Sequence, residues 1–281
     1  MNITLDSCQD FFSPSLLPPL RSAKETALKW FDFDNLANYT RAGGHPIYGP
    51  DDIEYRLNRH GFRGHELTTR GVITVAALGC SFVFGLGVRE EEVYHYHIAN
   101  RLRDTFNVNV VVHNLGINGG SMDTLARLVP MVLRNLKPDL VLINFPHRDR
   151  REHVSVFGKT MKLLPGTVFD LDAKLGEELF KHYQGLASEP DDLANMFRNY
   201  SAIKYQLRGT AWMSTFLEAH TYELLQAHVD EQSCCGSFPV FVDTARDHGH
   251  PGPQTHLLYA KQIWGGMLLQ GKIATLREAL K

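Results

Sequence analysis

The chain has 281 residues, of which 43% are hydrophobic and 21% charged, so it is long enough to bury a large core as one domain. Its 29 basic and 31 acidic residues nearly cancel, which excludes a global charge favouring nucleic acid or an anionic membrane. We therefore expect no nucleic-acid partner and no membrane association, while composition leaves the oligomeric state unknown.

The four cysteines and the first twenty residues bear on the cellular compartment. Cys234 and Cys235 are adjacent, and the other two cysteines are far away, which fits neither a disulfide framework nor a zinc site. Residues 1–20 contain two aspartates and three prolines instead of the basic start and continuous apolar core of a signal peptide. These features predict a cytoplasmic protein with reduced thiols and with no metal or other cofactor.

The chain begins with a mixed segment. Residues 1–50 predict an irregular lead-in without chemistry of its own, containing a short helix around residues 23–31. Residues 51–281 are then expected to form a single domain. Near its start, residues 58–63 read Asn-Arg-His-Gly-Phe-Arg, in which a glycine between polar residues indicates a turn.

A buried strand followed by a serine comes next. Residues 72–78 are all apolar or β-branched, which predicts a strand buried on both faces. Gly79 permits a sharp turn, so Ser81 lies just beyond the carboxyl end of that strand, where open α/β sheets bind ligands. Ser81 is therefore a candidate nucleophile, with capping of the next helix as the alternative.

Helical and strand patterns then alternate. A helix is predicted over residues 89–106, a strand over 108–115, a helix from Ser121 or Asp123 to about 136, and a strand over 139–145. This alternation predicts a parallel, right-handed α/β sheet.

The pattern weakens after residue 148. We predict an inserted loop and helical region around residues 148–230, with its long helical part over 191–231 broken near Gly209. A short last strand over 238–242, a polar loop over 243–252 and a closing helix complete the chain.

The polar loop carries the second half of a candidate catalytic site. A serine is a weak nucleophile unless a base takes its proton and an acid orients that base. Asp247 and His250 are three residues apart, so one turn can supply both groups. The alternative is an exposed loop without a catalytic role.

Several blocks resemble the SGNH (GDSL-like) serine hydrolases. Residues 79–88 resemble the first block around the nucleophile, residues 114–119 the second, residues 138–142 the strand before the third, and Asp247 with His250 the Asp-x-x-His block. Residues 58–63 resemble a segment often found upstream of the serine. The resemblance spans roughly residues 58–263.

The resemblance implies a three-layer α/β/α (flavodoxin-like) fold with a central parallel sheet. It implies a hydrolase of small acyl esters, among them acetyl groups on carbohydrates, in which Ser81 attacks, His250 accepts its proton and Asp247 orients the imidazole. The N–H groups of Ser81 and Gly119 are implied as oxyanion-hole donors. An acyltransferase would use the same residues, with a sugar hydroxyl replacing water.

Two departures from the family pattern affect the expected chemistry. Cys80 replaces an aspartate that is not the nucleophile. The third block normally supplies an asparagine to the oxyanion, but residues 146–149 read Pro-His-Arg-Asp, so Arg148 stands at its place. Asn144, Arg148 or Arg150 is then expected to donate instead, or the hole has only two backbone donors.

Four alternatives remain open at the level of sequence. One is a non-catalytic SGNH-like binding or assembly module with a degraded oxyanion hole. A thiol enzyme using Cys80 is the second. The glycines at 79, 85 and 87 suggest a nucleotide-binding loop but do not match the Gly-x-Gly-x-x-Gly spacing. Finally, His248, His250 and His256 suggest metal binding without a nearby Cys or Glu partner.

Overall fold

A computed structural model describes residues 26–68, 72–154, 160–164, 167–169 and 187–280, together with residues 181 and 185. The strands, numbered in chain order, are β1 (Thr26–Leu28), β2 (Tyr55–Leu57), β3 (Ile73–Gly79), β4 (Val110–Gly116), β5 (Leu140–Phe145), β6 (Arg151–Val154), β7 (Thr160–Leu164), β8 (Thr167–Phe169), β9 (Ala211–Phe216) and β10 (Cys234–Ser237). The α-helices are α1 (Leu36–Arg41), α2 (Ser81–Phe84), α3 (Tyr94–Phe106), α4 (Met122–Leu136), α5 (Glu189–Gln206), α6 (Ala219–Leu225), α7 (Pro253–Leu269) and α8 (Lys272–Ala279).

Within the described ranges, the central sheet has five strands in the order β10-β9-β5-β3-β4, and all of its strand pairs are parallel. Numbered along the chain, this is the 2-1-3-4-5 order of flavodoxin-like sheets. β3 is buried along its whole length, which is why its sequence is continuously apolar. β4 is added on one side of β3, whereas β5, β9 and β10 follow on the other side. Ligands bind at such a topological switch point.

Helices cover both faces of the sheet. Val75 and Ala77 of β3 belong to a core with buried residues of α3, α7 and α8, whereas Ala76 and Leu78 belong to a second core with α4 and α5. Alternate residues of one strand therefore serve opposite cores, as the pleat requires. The predicted three-layer α/β/α class is confirmed.

The helical prediction over residues 191–231 is wrong in its middle part. α5 ends at Gln206, and residues 211–216 form β9, which lies between β5 and β10 in the central sheet. β9 reads Ala-Trp-Met-Ser-Thr-Phe, in which only the threonine is β-branched, and it is buried between two strands of the sheet. This part of the predicted insertion around 148–230 therefore belongs to the sheet itself.

The predicted last strand is also wrong. The strand that pairs with β9 is β10, residues 234–237, whereas residues 238–242 follow it as irregular chain. Pro239 has no N–H to donate to a sheet ladder. Val240 is 87% exposed and lies in solvent, whereas Phe238 is 8% exposed and packs in the core.

The beginning of the chain differs from its prediction as well. Residues 26–28 form β1, paired antiparallel with β2, and not a helix. Residues 1–25 of the predicted lead-in lie outside the described residues, as do 155–159, 165–166 and 170–180 of the predicted insertion. The helix predicted over 89–106 is divided into a 3₁₀ turn at Glu90–Glu92 and α3, which begins at Tyr94. No helix in the described part of the chain combines the length and apolar character needed to span a membrane.

Candidate active site

Ser81, His250 and Asp247 form a continuous hydrogen-bonded triplet. Nε2 of His250 lies 2.8 Å from Oγ of Ser81, and Nδ1 of the same ring lies 2.5 Å from Oδ2 of Asp247. The two ring nitrogens thus face different partners, which is the arrangement that lets a base take the serine proton while a carboxylate holds the ring. Residues 169 positions apart are brought together here.

Hydrogen bonding keeps Asp247 ionised against the effect of burial. Burial alone would raise the pKa of its carboxyl, but the hydrogen bonds from His250 and from the N–H groups of Gly249 and His250 outweigh that effect and hold the pKa below its ordinary value. The Asp247 side chain is 1% exposed and that of His250 is 14% exposed. The carboxylate is therefore shielded while the imidazole still meets solvent.

Ser81 does not cap the helix that follows β3. The N-cap of α2 is Cys80, which makes no side-chain capping bond, and Ser81 is the first helical residue. Its Oγ is consequently available to His250, and its N–H, at the start of a helix, has no intrahelical acceptor.

The loop after β4 places a second backbone N–H near the sheet edge. Gly119 has φ +67° in a turn in which the N–H of Gly120 donates to the carbonyl of Ile117. Within the described ranges, the N–H groups of Ser81 and Gly119 have no hydrogen-bond acceptor. Ser81 begins the helix that follows β3 and Gly119 lies in the loop that follows β4, so both come just after the carboxyl ends of neighbouring strands.

Two of the three side chains expected as a third oxyanion donor, Asn144 and Arg148, are engaged elsewhere. Nδ2 of Asn144 donates to Oγ1 of Thr215 at 2.9 Å, inside the sheet, and Asn144 is fully buried. The guanidinium of Arg148 donates to Thr221 at 3.1 Å and to Glu189 at 2.8 Å. These contacts join β5 and its loop to β9, α6 and α5, and none of them involves Ser81, so they do not support the expected role.

The loop that carries Asp247 and His250 packs directly on the loop that follows α2. The N–H of Arg246 donates to the carbonyl of Gly87 at 2.8 Å. Gly87 has φ +77°, and a Cβ there would lie 2.8 Å from Cβ of Ala245 and 3.2 Å from the N of Asp247. Only glycine allows the two loops to approach this closely.

Arg63, the last residue of the segment 58–63, binds the chain that follows Ser81. Its side chain is 1% exposed and donates to the carbonyls of Phe84, Gly85 and Val88, the last at 2.8 Å. These carbonyls lie at and beyond the end of α2, where a helix leaves acceptors unpaired. The motif was visible in the sequence, but its role was not, because nothing local indicates which loop the arginine reaches.

An aromatic cluster lies beside His250. The ring of Phe82 is edge-on to that of His250, with centroids 5.5 Å apart, and contacts Phe238 at 5.2 Å and Phe241 at 5.6 Å. Phe241 is 38% exposed. The sequence predicts a strand over residues 238–242, and that prediction does not indicate that this apolar run lies next to His250.

Two other candidates from the sequence do not join the triplet. Cys80 is fully buried, which disfavours a nucleophilic thiol because a thiolate needs a polar, accessible setting. His256 lies in α7 and is fully buried, and neither of its ring nitrogens has a hydrogen-bond partner. His250 is thus the histidine of the loop region that contacts Ser81.

No protein-family model matches this sequence, and no curated protein matches it either. Solved structures with a similar fold include a family 3 carbohydrate esterase from Clostridium thermocellum, 12% identical, with a TM-score of 0.48 over 74% of this chain and 99% of that chain. TesA is 16% identical, with a TM-score of 0.45 over 70% of this chain and 99% of that chain. A structure from Desulfitobacterium hafniense DCB-2 assigned to the lipolytic G-D-S-L family is 15% identical, with a TM-score of 0.39 over 69% of this chain and 98% of that chain. These likenesses concern the fold of the chain.

Proposed function

We propose that this chain is a serine hydrolase that cleaves a small acyl ester through Ser81, His250 and Asp247. The observation that carries the proposal is the Ser81–His250–Asp247 hydrogen-bonded triplet at the carboxyl edge of a parallel sheet. A serine, a base within hydrogen-bond reach and a carboxylate that orients the base are the parts that acyl transfer requires.

The mechanism follows from the contacts. Nε2 of His250 accepts the proton of Ser81 Oγ while that oxygen attacks the ester carbonyl, and Asp247 stabilises the resulting imidazolium without itself taking the proton. The imidazolium then protonates the leaving alcohol. Water, deprotonated by the same Nε2, attacks the acyl-enzyme and releases the acid, which regenerates Ser81.

The oxyanion hole in this proposal has two backbone donors, the N–H groups of Ser81 and Gly119. Both lack a hydrogen-bond acceptor in the part of the chain that the structure describes. A missing third donor costs about 2.7–4 kcal/mol of transition-state stabilisation in a serine protease, so we expect slow turnover here.

The resemblance to SGNH enzymes favours a short acyl group, such as an acetyl group on a carbohydrate. Transfer of the acyl group to a sugar hydroxyl instead of water would use the same residues. The second candidate is a binding module that keeps the fold without turnover, and the engagement of Asn144 and Arg148 elsewhere is the observation that favours it.

One experiment separates enzyme from module. The intact protein is assayed on p-nitrophenyl acetate and labelled with a fluorophosphonate, and the adduct is located by mass spectrometry. We expect an adduct on Ser81 and no turnover in Ser81→Ala, while Cys80→Ala remains active. An inert wild-type protein without an adduct would favour the binding module.

A further inference from the structure

The segment from β1 to β2 brings one carboxylate into the core. Asp34 is 1% exposed and accepts a two-pronged ion pair from Arg246, with Nε 2.9 Å from Oδ1 and Nη2 2.6 Å from Oδ2. Arg246 is fully buried and directly precedes Asp247. Asp34 therefore binds Arg246 across 212 positions of sequence, and Arg246 directly precedes Asp247, the residue that contacts His250.

The other contacts of this guanidinium come from the same segment. Nη1 of Arg246 donates to the carbonyl of Pro50 at 3.0 Å, and Nη2 donates to the carbonyl of Lys29 at 2.6 Å. The guanidinium also stands 4.0 Å from the centroid of the Trp30 ring. The planar fork of an arginine is thereby fixed in position and in orientation.

Asp34 also reaches the loop that follows Ser81. The hydroxyl of Tyr55 donates to Oδ2 of Asp34 and accepts a hydrogen bond from the N–H of Gly87 at 2.8 Å. Burial and the nearby Asp34 charge raise the pKa of Tyr55, so its phenol stays protonated and can donate. Since the carbonyl of Gly87 accepts from the N–H of Arg246, the contacts close into a ring through Arg246, Asp34, Tyr55 and Gly87.

We propose that Asp34 is a positioning residue that sets the register between Ser81 and His250 by joining their two loops. This inference rests on the proposed function. A buried ion pair is a weak source of stability because both charges lose their hydration, whereas its geometry is specific. A displacement of about 1 Å in a catalytic group can cost about a hundredfold in rate. The segment that was expected to lack chemistry would thus be part of the catalytic apparatus.

The test uses two variants of the full chain. Asp34→Asn keeps the shape of the side chain and removes its charge, and Tyr55→Phe leaves the ion pair and removes only the hydroxyl between Asp34 and Gly87. We expect kcat on p-nitrophenyl acetate to fall at least tenfold in the first and threefold in the second, with KM within twofold of wild type. The downfield proton resonance of the Asp247–His250 hydrogen bond should shift or broaden in both variants.

The matched control is Asp51→Asn, which breaks the exposed ion pair between Lys29 and Asp51 in the same segment. It should keep wild-type kcat and an unchanged resonance. The inference would be overturned if both variants fold and keep the wild-type kcat and the wild-type proton resonance. If Asp34→Asn does not fold, the result for Tyr55→Phe alone decides whether the inference holds. Turnover that survives in Ser81→Ala would instead refute the proposed function, and the resonance would still test the positioning.

Discussion

The ring of Phe82 stands edge-on to the ring of His250, with an interplanar angle of 71°. Phe82 directly follows Ser81, so Ser81 and an aromatic ring beside His250 come from the same turn. In the proposed mechanism the imidazolium gives its proton to the leaving alcohol, which then passes next to His250. We therefore expect the alcohol half of the substrate to meet the aromatic cluster.

Removing the ring of Phe241 should weaken the binding of esters with an aromatic alcohol. An aromatic contact contributes about 0.5–1.5 kcal/mol, so we expect Phe241→Ser to raise KM for p-nitrophenyl acetate about two- to tenfold. Ethyl acetate, with the same acyl group, should be affected less. Leu269→Ser, which removes an exposed apolar side chain at the end of α7, is the control. An equal effect on both esters would place the cluster at the acyl half instead.

Histidine substitutions should distinguish His250 from its neighbour. We expect His250→Ala to lower kcat about 10²- to 10⁴-fold, because the serine then has no base. His248 contacts the carbonyl of Gly44 at 2.9 Å, so His248→Ala should stay within threefold of wild type in steady-state kinetics. Loss of turnover in His248→Ala alone would contradict the arrangement of this loop.

Gly87→Ala should lower kcat by more than its loss of folding stability accounts for. The added Cβ would push on Ala245 and on the N of Asp247, in addition to the cost of about 1–2 kcal/mol for a left-handed alanine. Gly271→Ala is a close control, since Gly271 has φ +70° and nothing within 4 Å of an added Cβ. In urea denaturation, Gly271→Ala should lose only the backbone cost and Gly87→Ala should lose more, because of the added clash, and only Gly87→Ala should lose kcat. Equal kcat values would mean that the loops can separate without consequence.

Arg148→Ala tests whether the oxyanion hole has a third donor. Because its guanidinium is bound to Thr221 and Glu189, we expect kcat to change less than twofold. A tenfold fall in kcat at constant KM, equivalent to about 1.4 kcal/mol, would show that Arg148 swings into the site in the transition state.

Acid should destabilise the protein through its buried histidines. Burial, with the nearby positive charges of His97 and Arg63, lowers the pKa of His256 from 6.5 to about 3. The folded state then binds fewer protons than the unfolded state between these values, so stability falls as the pH drops from about 6.5 towards 3. His256→Leu should flatten this dependence in thermal melts from pH 7 to 4.

Elements that a local sequence pattern specifies could be predicted. Elements and contacts that depend on residues far away in the sequence could not. The continuous apolar run of β3 and the Asp-x-x-His spacing each identify their residues within a few positions. β9 was missed because it is short and has only one β-branched residue, so its neighbours in the sheet have a large part in deciding its conformation. Residues 238–242 were wrongly predicted as a strand because an apolar run does not by itself require one: Phe238 packs in the core, Phe241 lies beside the site and Val240 is exposed. The Asp34–Arg246 pair spans 212 residues, so no window of the sequence reveals it.

That same span has a consequence for how the protein is made. At about 5–20 residues per second, residue 246 is synthesised about 10–40 s after residue 34. During that interval, the nascent chain carries Ser81 without His250 and holds the Asp34 carboxylate without the guanidinium that neutralises it. The segment that contains Asp34 can therefore form its ion pair with Arg246 only after the polar loop before α7 has been synthesised. In the proposed function, ester hydrolysis would begin only after this contact has formed.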